Sequence, residues 1–208
     1  MAGFSLSARQ KSLSVWALYV IGLFPGCYDF YLGIYGELGA DPVRDFEHAL
    51  GIWALRFLCL GLVITPLRDL ARINLIAYRR ALGLIAFYYV LAHFAIYLTL
   101  DRGLIFSSIL GDILKRPYIM LGMAGLILLI PLAVTSNRWS IRKLGSRWIT
   151  LHKAVYLILP AGLLHFILSR KSFTLEPAFY TAVVILLIAY RLIRPTLMQR
   201  RRAKPKTA

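Results

Sequence analysis

Six long apolar blocks constrain this chain more than any other feature, since each approaches the ~20 residues needed to cross a bilayer. They run about Leu13–Tyr35, His48–Pro66, Ala81–Leu100, Pro117–Thr135, Ile149–Leu168 and Pro177–Ile193. Lipid offers no hydrogen bonds, so blocks of this kind must be helical to satisfy their own backbone. The expected fold is therefore all-α, a polytopic membrane bundle of six transmembrane helices. Residues 13–194 form the bundle, residues 1–12 precede it, and residues 195–208 make a basic disordered tail. Hydrophobic residues make up 59% of the 208, against about half in soluble domains. Little chain is left for a soluble domain. Pro117 and Pro177 suit a first helical turn, where the missing N–H costs nothing, while Pro25-Gly26 interrupts the first block.

The net charge of +16 would point to nucleic acid in a soluble protein. Here the basic residues sit between apolar blocks, where they set topology, and a nucleic-acid role is excluded. Positive charge gathers at Arg9 and Lys11, at Arg68, Arg72, Arg79 and Arg80, at Arg138, Arg142, Lys143 and Arg147, and in the tail. The first connection is acidic, with Glu37, Asp41, Asp45 and Glu47 against Arg44. The positive-inside rule then places both termini in the cytoplasm, and an even number of spans agrees with their sharing a side. The polybasic tail lies near anionic membrane lipid. The first block reads as an uncleaved signal-anchor. Cys27 and Cys59 stand in apolar blocks without a CxxC or CxxCH pattern, so they read as small buried hydrophobes rather than zinc or covalent-haem ligands.

Histidines carry the chemistry. All four (His48, His93, His152 and His165) lie in or beside apolar blocks, where ionisable side chains are costly and turn inward. His93 and His165 fall on the third and fifth helices, which run in the same direction. Their depths are roughly 18 and 24 Å at 1.5 Å per residue, a difference within the uncertainty of helix boundaries. Two neutral imidazoles from facing helices can cap both axial positions of one haem iron. Zinc would require three or four ligands, and a channel would require rings of carboxylates or carbonyls. His48, beside acidic residues at a helix start, reads as interfacial.

His152 and His165 are about 140° apart on an ideal helix, so they share a face only if Pro160 bends it. On the third helix, Arg79 stands almost beneath His93, with Arg80 next to it. An inner site of His152 with Arg79 and Arg80 is thus expected, unlike the outer pair. Arginine grips propionate or phosphate through its fork, which suits a second haem, a flavin or a quinone; topology signalling accounts for the same arginines equally well. Arg56, in mid-span, should face inward to an anion such as Asp29 or a haem propionate.

An ordered set of short motifs extends from residue 48 to 170. It comprises Gly51-Ile52-Trp53-Ala54-Leu55 with Thr65-Pro66-Leu67-Arg68, then Arg79-Arg80-Ala81-Leu82-Gly83-Leu84 with His93. Lys115-Arg116-Pro117-Tyr118-Ile119, Pro131-Leu132-Ala133-Val134-Thr135-Ser136, and Trp148 through Leu151-His152-Lys153 to His165-Phe166 complete it. In this set the chain resembles the haem-binding membrane subunit of the bacterial periplasmic methionine sulfoxide reductase system (the MsrQ, or YedZ, family). More distantly it resembles the ferric-reductase-like transmembrane domain. The resemblance implies a multi-pass protein of the bacterial inner membrane carrying haem b, with flavin mononucleotide (FMN) as an associated cofactor. Electrons would come from the quinone pool or a cytoplasmic flavin reductase. They would leave to a periplasmic molybdopterin-containing catalytic subunit that reduces methionine sulfoxide in oxidised proteins. Family haem ligands fall on His93, His152 and His165. The broader pattern has two histidines on each of two helices; arginine at the inner position of the third helix argues against two symmetric haems.

Two other functions compete. A stand-alone ferric or cupric reductase would need a nicotinamide and flavin domain, and no GxGxxG follows the sixth block. A non-redox bundle would use the histidines as buried polar groups only.

Overall fold

All six apolar blocks are helical in the computed structural model, which describes residues 7–170, 172 and 174–203. Six spans are long and apolar enough to cross a membrane: Ala8–Ile34, Pro42–Ala71, Ile76–Asp101, Pro117–Val134, Ser146–Ser169 and Leu175–Leu197. This is a multi-pass membrane protein.

Local signals set the ends of the elements. Helix α1 (Ala8–Ile34) begins in a capping box, with Ser7 and Gln10 bonding one another's backbone N–H. Helix α2 (Pro42–Ala71) starts with Asp41 as cap and Pro42 in the first turn, and Arg72 in the left-handed region ends it. Helix α3 (Arg79–Ile96) continues into a π-turn at Tyr97–Asp101. Helix α4 (Phe106–Lys115) is short and lies outside the six spans. Pro117 opens α5 (Pro117–Val134), and the small helices α6 (Arg138–Leu144) and α7 (Ser146–His152) follow. The last two are α8 (Val155–Ser169) and α9 (Leu175–Ala203).

Two expectations need correction, and the condition set on Pro160 takes a different form. Pro25-Gly26 does not interrupt α1. The Tyr89 hydroxyl enters the backbone ladder there, accepting from the Gly26 N–H at 3.0 Å and donating to the Gly22 carbonyl at 2.8 Å. A side chain set into the ladder beside a proline keeps the freed groups bonded. The fifth span breaks at Lys153-Ala154, not at Pro160. Bonds from Lys153 N–H to Thr150 and from Ala154 N–H to Leu151 are tight three-residue steps, one turn before the carbonyls that the Pro160 ring crowds. Finally, the segment from residue 195 expected to be disordered is helical through Ala203, as its Leu, Met, Gln and Arg residues favour. The rest of the expected tail, 204–208, and residues 1–6 lie outside the described residues.

The core runs along α2, α3, α5 and α8, with Ile85 and Leu159 wholly buried. Side-chain bonds show which helix ends lie together. Ser14 meets Tyr78, Thr65 meets Arg79 and Arg191, and Asp69 meets Tyr190 and Arg194 at the end that carries both termini. Glu47 meets His93, Tyr118 meets His165, and His48 meets Arg170 at the far end. Successive spans therefore alternate in direction.

Candidate functional site

A cavity of ≈ 740 Å³ opens at the far end, between α2, α3, α5 and α8. His93 from α3 and His165 from α8 both line it, with ring centres 5.9 Å apart and planes at 86°. Their Nδ1 atoms bond backbone carbonyls, Glu47 at 2.8 Å and Tyr118 at 2.7 Å. A carbonyl can only accept, so each Nδ1 carries the proton and each Nε2 keeps its lone pair. This is how metal-binding imidazoles are oriented.

Glycines make room for this arrangement. A Cβ on Gly122 would stand 2.9 Å from His165 Nδ1, and one on Gly51 would stand 3.5 Å from the His93 ring. The His165 ring can lie against α5 only because position 122 lacks a side chain, whereas a Cβ on Gly51 would make ordinary contact with the His93 ring. Gly125 and Gly162 also line the cavity, and a Cβ on either would meet no atom within 4 Å. They widen the space between α5 and α8 into a slot.

The donor set fits a bis-imidazole haem. Two imidazoles on one metal, at about 2.0–2.1 Å per bond, have ring centres roughly 6 Å apart. Leu55, Leu58, Leu126 and Leu129 give the cavity an apolar wall, as a porphyrin requires, while Glu47 brings a carboxylate oxygen to 3.8 Å from His93 Nε2. Among the described residues no group of three or more His, Cys, Asp or Glu could hold a bare metal ion. Arg44, Arg102, Arg116 and Arg170 line the cavity as well. Arg102 and Arg116 share Asp112, at 2.8 and 3.1 Å, while Arg170 touches His48 at 3.2 Å and Glu176 at 3.8 Å. Arg116 also donates to the Tyr118 hydroxyl at 3.0 Å, a bond that raises its pKa above the usual value. Sequence reasoning missed these four arginines. Their signal was present in the segments flanking the far ends of the spans, which read as weakly charged or acidic.

The other expected residues lie elsewhere. His152 stacks on Trp148 at 3.9 Å, and its Nε2 lies 3.0 Å from Thr135 Oγ1, near the termini end. Arg79 does not reach it; its Nη2 bonds Thr65 Oγ1 on α2 at 2.6 Å. Arg80 is exposed and lies on a different side of α3 from Arg79, since neighbours on a helix diverge by about 100°. Among the described residues no hydrogen bond or ion pair joins His152 to Arg79 or Arg80. Arg56 lies over the Trp53 ring at 4.4 Å and donates to the Tyr180 hydroxyl at 2.8 Å. Asp29 bonds Trp53 and lies within the field of the Arg56 charge, though no close ion pair joins the two among the described residues, and Arg56 is not among the residues lining the cavity.

Residues 50–163 match the family described as ferric reductase like transmembrane component. A relative from Agrobacterium fabrum is 70% identical over 200 residues, covering 96% of this chain and 93% of the relative. A relative from Brucella anthropi is 54% identical over 193 residues (93% and 88%), and one from Brucella ovis 56% over 195 residues (94% and 89%). All three bear the name protein-methionine-sulfoxide reductase heme-binding subunit MsrQ. No solved structure matches the chain.

Proposed function

Because this chain belongs to the MsrQ family of haem-binding subunits, we propose that it carries electrons across the bacterial inner membrane to a separate periplasmic enzyme. The acceptor is a molybdopterin-containing catalytic subunit that reduces methionine sulfoxide in oxidised proteins. The donor is the quinone pool or a cytoplasmic flavin reductase, with FMN as associated cofactor. Support for the partner comes from the relatives' shared name, and support for the donor and cofactor from the resemblance of the motifs.

The observation that carries the reading is the facing pair His93 and His165, each held by a backbone carbonyl beside a glycine-lined slot. Haem b bound there supplies a one-electron carrier near one face of the membrane. His93 and His165 hold the iron, and the fixed Nδ1 protons keep both imidazoles neutral and aimed. The leucine walls would bed the apolar porphyrin. Arg44, Arg102, Arg116 and Arg170 are the cations at the mouth that would take propionates; Asp112 offsets only part of the charge on Arg102 and Arg116, and Glu176 part of that on Arg170. His152, with Trp148 and Thr135, belongs to a second and different site near the termini end.

Spectroscopy of the purified full-length chain tests this directly. A Soret band and a reducible α-band are expected, and His93→Ala or His165→Ala should each remove most of the Soret absorbance. His152→Ala should leave that band in place. Equal loss in all three variants would overturn the two-site assignment. For the partner, the chain is reconstituted with the periplasmic enzyme and a quinol or reduced flavin. Sulfoxide reduction at the same rate without this chain would rule out its role as the electron-transfer subunit.

A further inference from the structure

Away from the haem cavity, Arg68 and Arg194 gather on Asp69, and Arg79 and Arg191 on Thr65, at the termini end. Asp69 of α2 takes Arg68 at 3.0 Å and Arg194 of α9, and it accepts from the Tyr190 hydroxyl at 3.2 Å. Its charge is fully shared. Beside it, Arg79 of α3 and Arg191 of α9 converge on one neutral acceptor, the buried Thr65 hydroxyl, at 2.6 and 2.9 Å. Arg191, Arg68 and Arg194 all act on Arg79 as like charges. Among the described residues no carboxylate lies within ion-pair distance of either Arg79 or Arg191.

Two guanidinium groups brought to one hydroxyl repel each other. Packing holds them there nonetheless: Arg191 lies over the Tyr156 ring at 5.0 Å, and Arg79 opens α3. Each Thr65 bond uses one Nη2 atom, leaving further N–H donors on each fork. Forked donors on two helices match the several oxygens of one phosphate. Basic pockets between membrane helices bind lipid headgroups in this manner.

We propose that Arg79 and Arg191, held on Thr65, form a phosphate-binding site at the termini end of the bundle, filled by the phosphate of an anionic phospholipid or by a soluble phosphate. The site joins α2, α3 and α9 through its ligand. It does not depend on the haem reading.

The test uses the full chain in a maltoside detergent, which contains no phosphate, and reads the thermal unfolding midpoint. One arm adds phosphatidylglycerol, with a neutral diacylglycerol as control. The other adds millimolar inorganic phosphate, with chloride at matched ionic strength as control. A rise of a few degrees over the control is expected in at least one arm, since a ligand that binds only the folded state raises the midpoint. A rise with phosphatidylglycerol alone assigns the lipid, and a rise with inorganic phosphate assigns the soluble ion. Arg191→Gln should abolish the rise, and Arg191→Lys should keep only part of it. Arg79→Gln is the second probe should Arg191→Gln fail to give a monodisperse protein. No rise over the controls in either arm overturns the proposal. So does an equal rise in Arg191→Gln, or in Arg79→Gln where that is the probe used.

Discussion

Gly122 shows how much of the site rests on an absent side chain. Its α-carbon lies so close to His165 that an added Cβ would meet Nδ1 at 2.9 Å, the atom bonded to the Tyr118 carbonyl. Gly122→Ala should therefore tilt the imidazole and break that bond. Loss of such an orienting bond typically costs 10–100-fold in metal affinity, so haem titration of the variant should show weakening of about that size. Gly162→Leu tests the slot itself. Its side chain enters open space, so the helix content by circular dichroism should stay at the wild-type value while bound haem falls about tenfold or more. Retention of full haem by Gly162→Leu would show that the porphyrin does not lie along α8. The histidines were legible in the sequence because an ionisable group in an apolar block stands out by itself. The glycines were not, since what makes Gly122 matter is a ring 43 positions further along the chain.

At the scale of elements, α1 depends on α2 and α3 for its place. An added Cβ on Gly22 would meet Ile85 at 2.9 Å, and one on Gly26 would meet Tyr89 at 2.8 Å. Small residues one turn apart let helices approach closely in lipid, where no hydrophobic drive pushes them together. The Tyr89 hydroxyl then bridges the α1 ladder just after Pro25. Tyr89→Phe leaves the Gly26 N–H and the Gly22 carbonyl without that bridge, in a buried place. A buried unsatisfied group costs about 1–3 kcal/mol, and the ladder can partly reclose, so a loss near the lower end of that range is expected. Unfolding in mixed micelles measures it; stability unchanged within error would show that α1 closes its own ladder. The sequence identified the six spans because length and hydropathy are local properties. Helix α4 escaped that reading. Phe106, Leu110 and Leu114 are exposed along one of its sides while Asp112 is held by Arg102 and Arg116. That is an interfacial amphipathic helix, too short to register as a span.

For the whole molecule, direction decides function. The far end carries the histidine cavity, and the termini end carries most of the positive charge. Of the 25 Lys and Arg residues, Arg44, Arg102, Lys115, Arg116, Arg170 and Lys171 fall by sequence at the far end, and Arg56 is mid-span. The others fall at the termini or in the connections on their side. Orientation follows the count of Lys and Arg near the span ends, with little contribution from Asp and Glu. The termini should then be cytoplasmic and the cavity periplasmic. Fusions give the check: a fluorescent protein after the last residue should fold and fluoresce, and alkaline phosphatase inserted at Glu37 should be active. Active phosphatase at the C-terminus would invert the chain. It would also put the His93–His165 pair on the cytoplasmic side, a membrane thickness away from any periplasmic acceptor. Electron exit to the periplasm from the His93–His165 site therefore requires this topology, and a single pair of fusions can refute both.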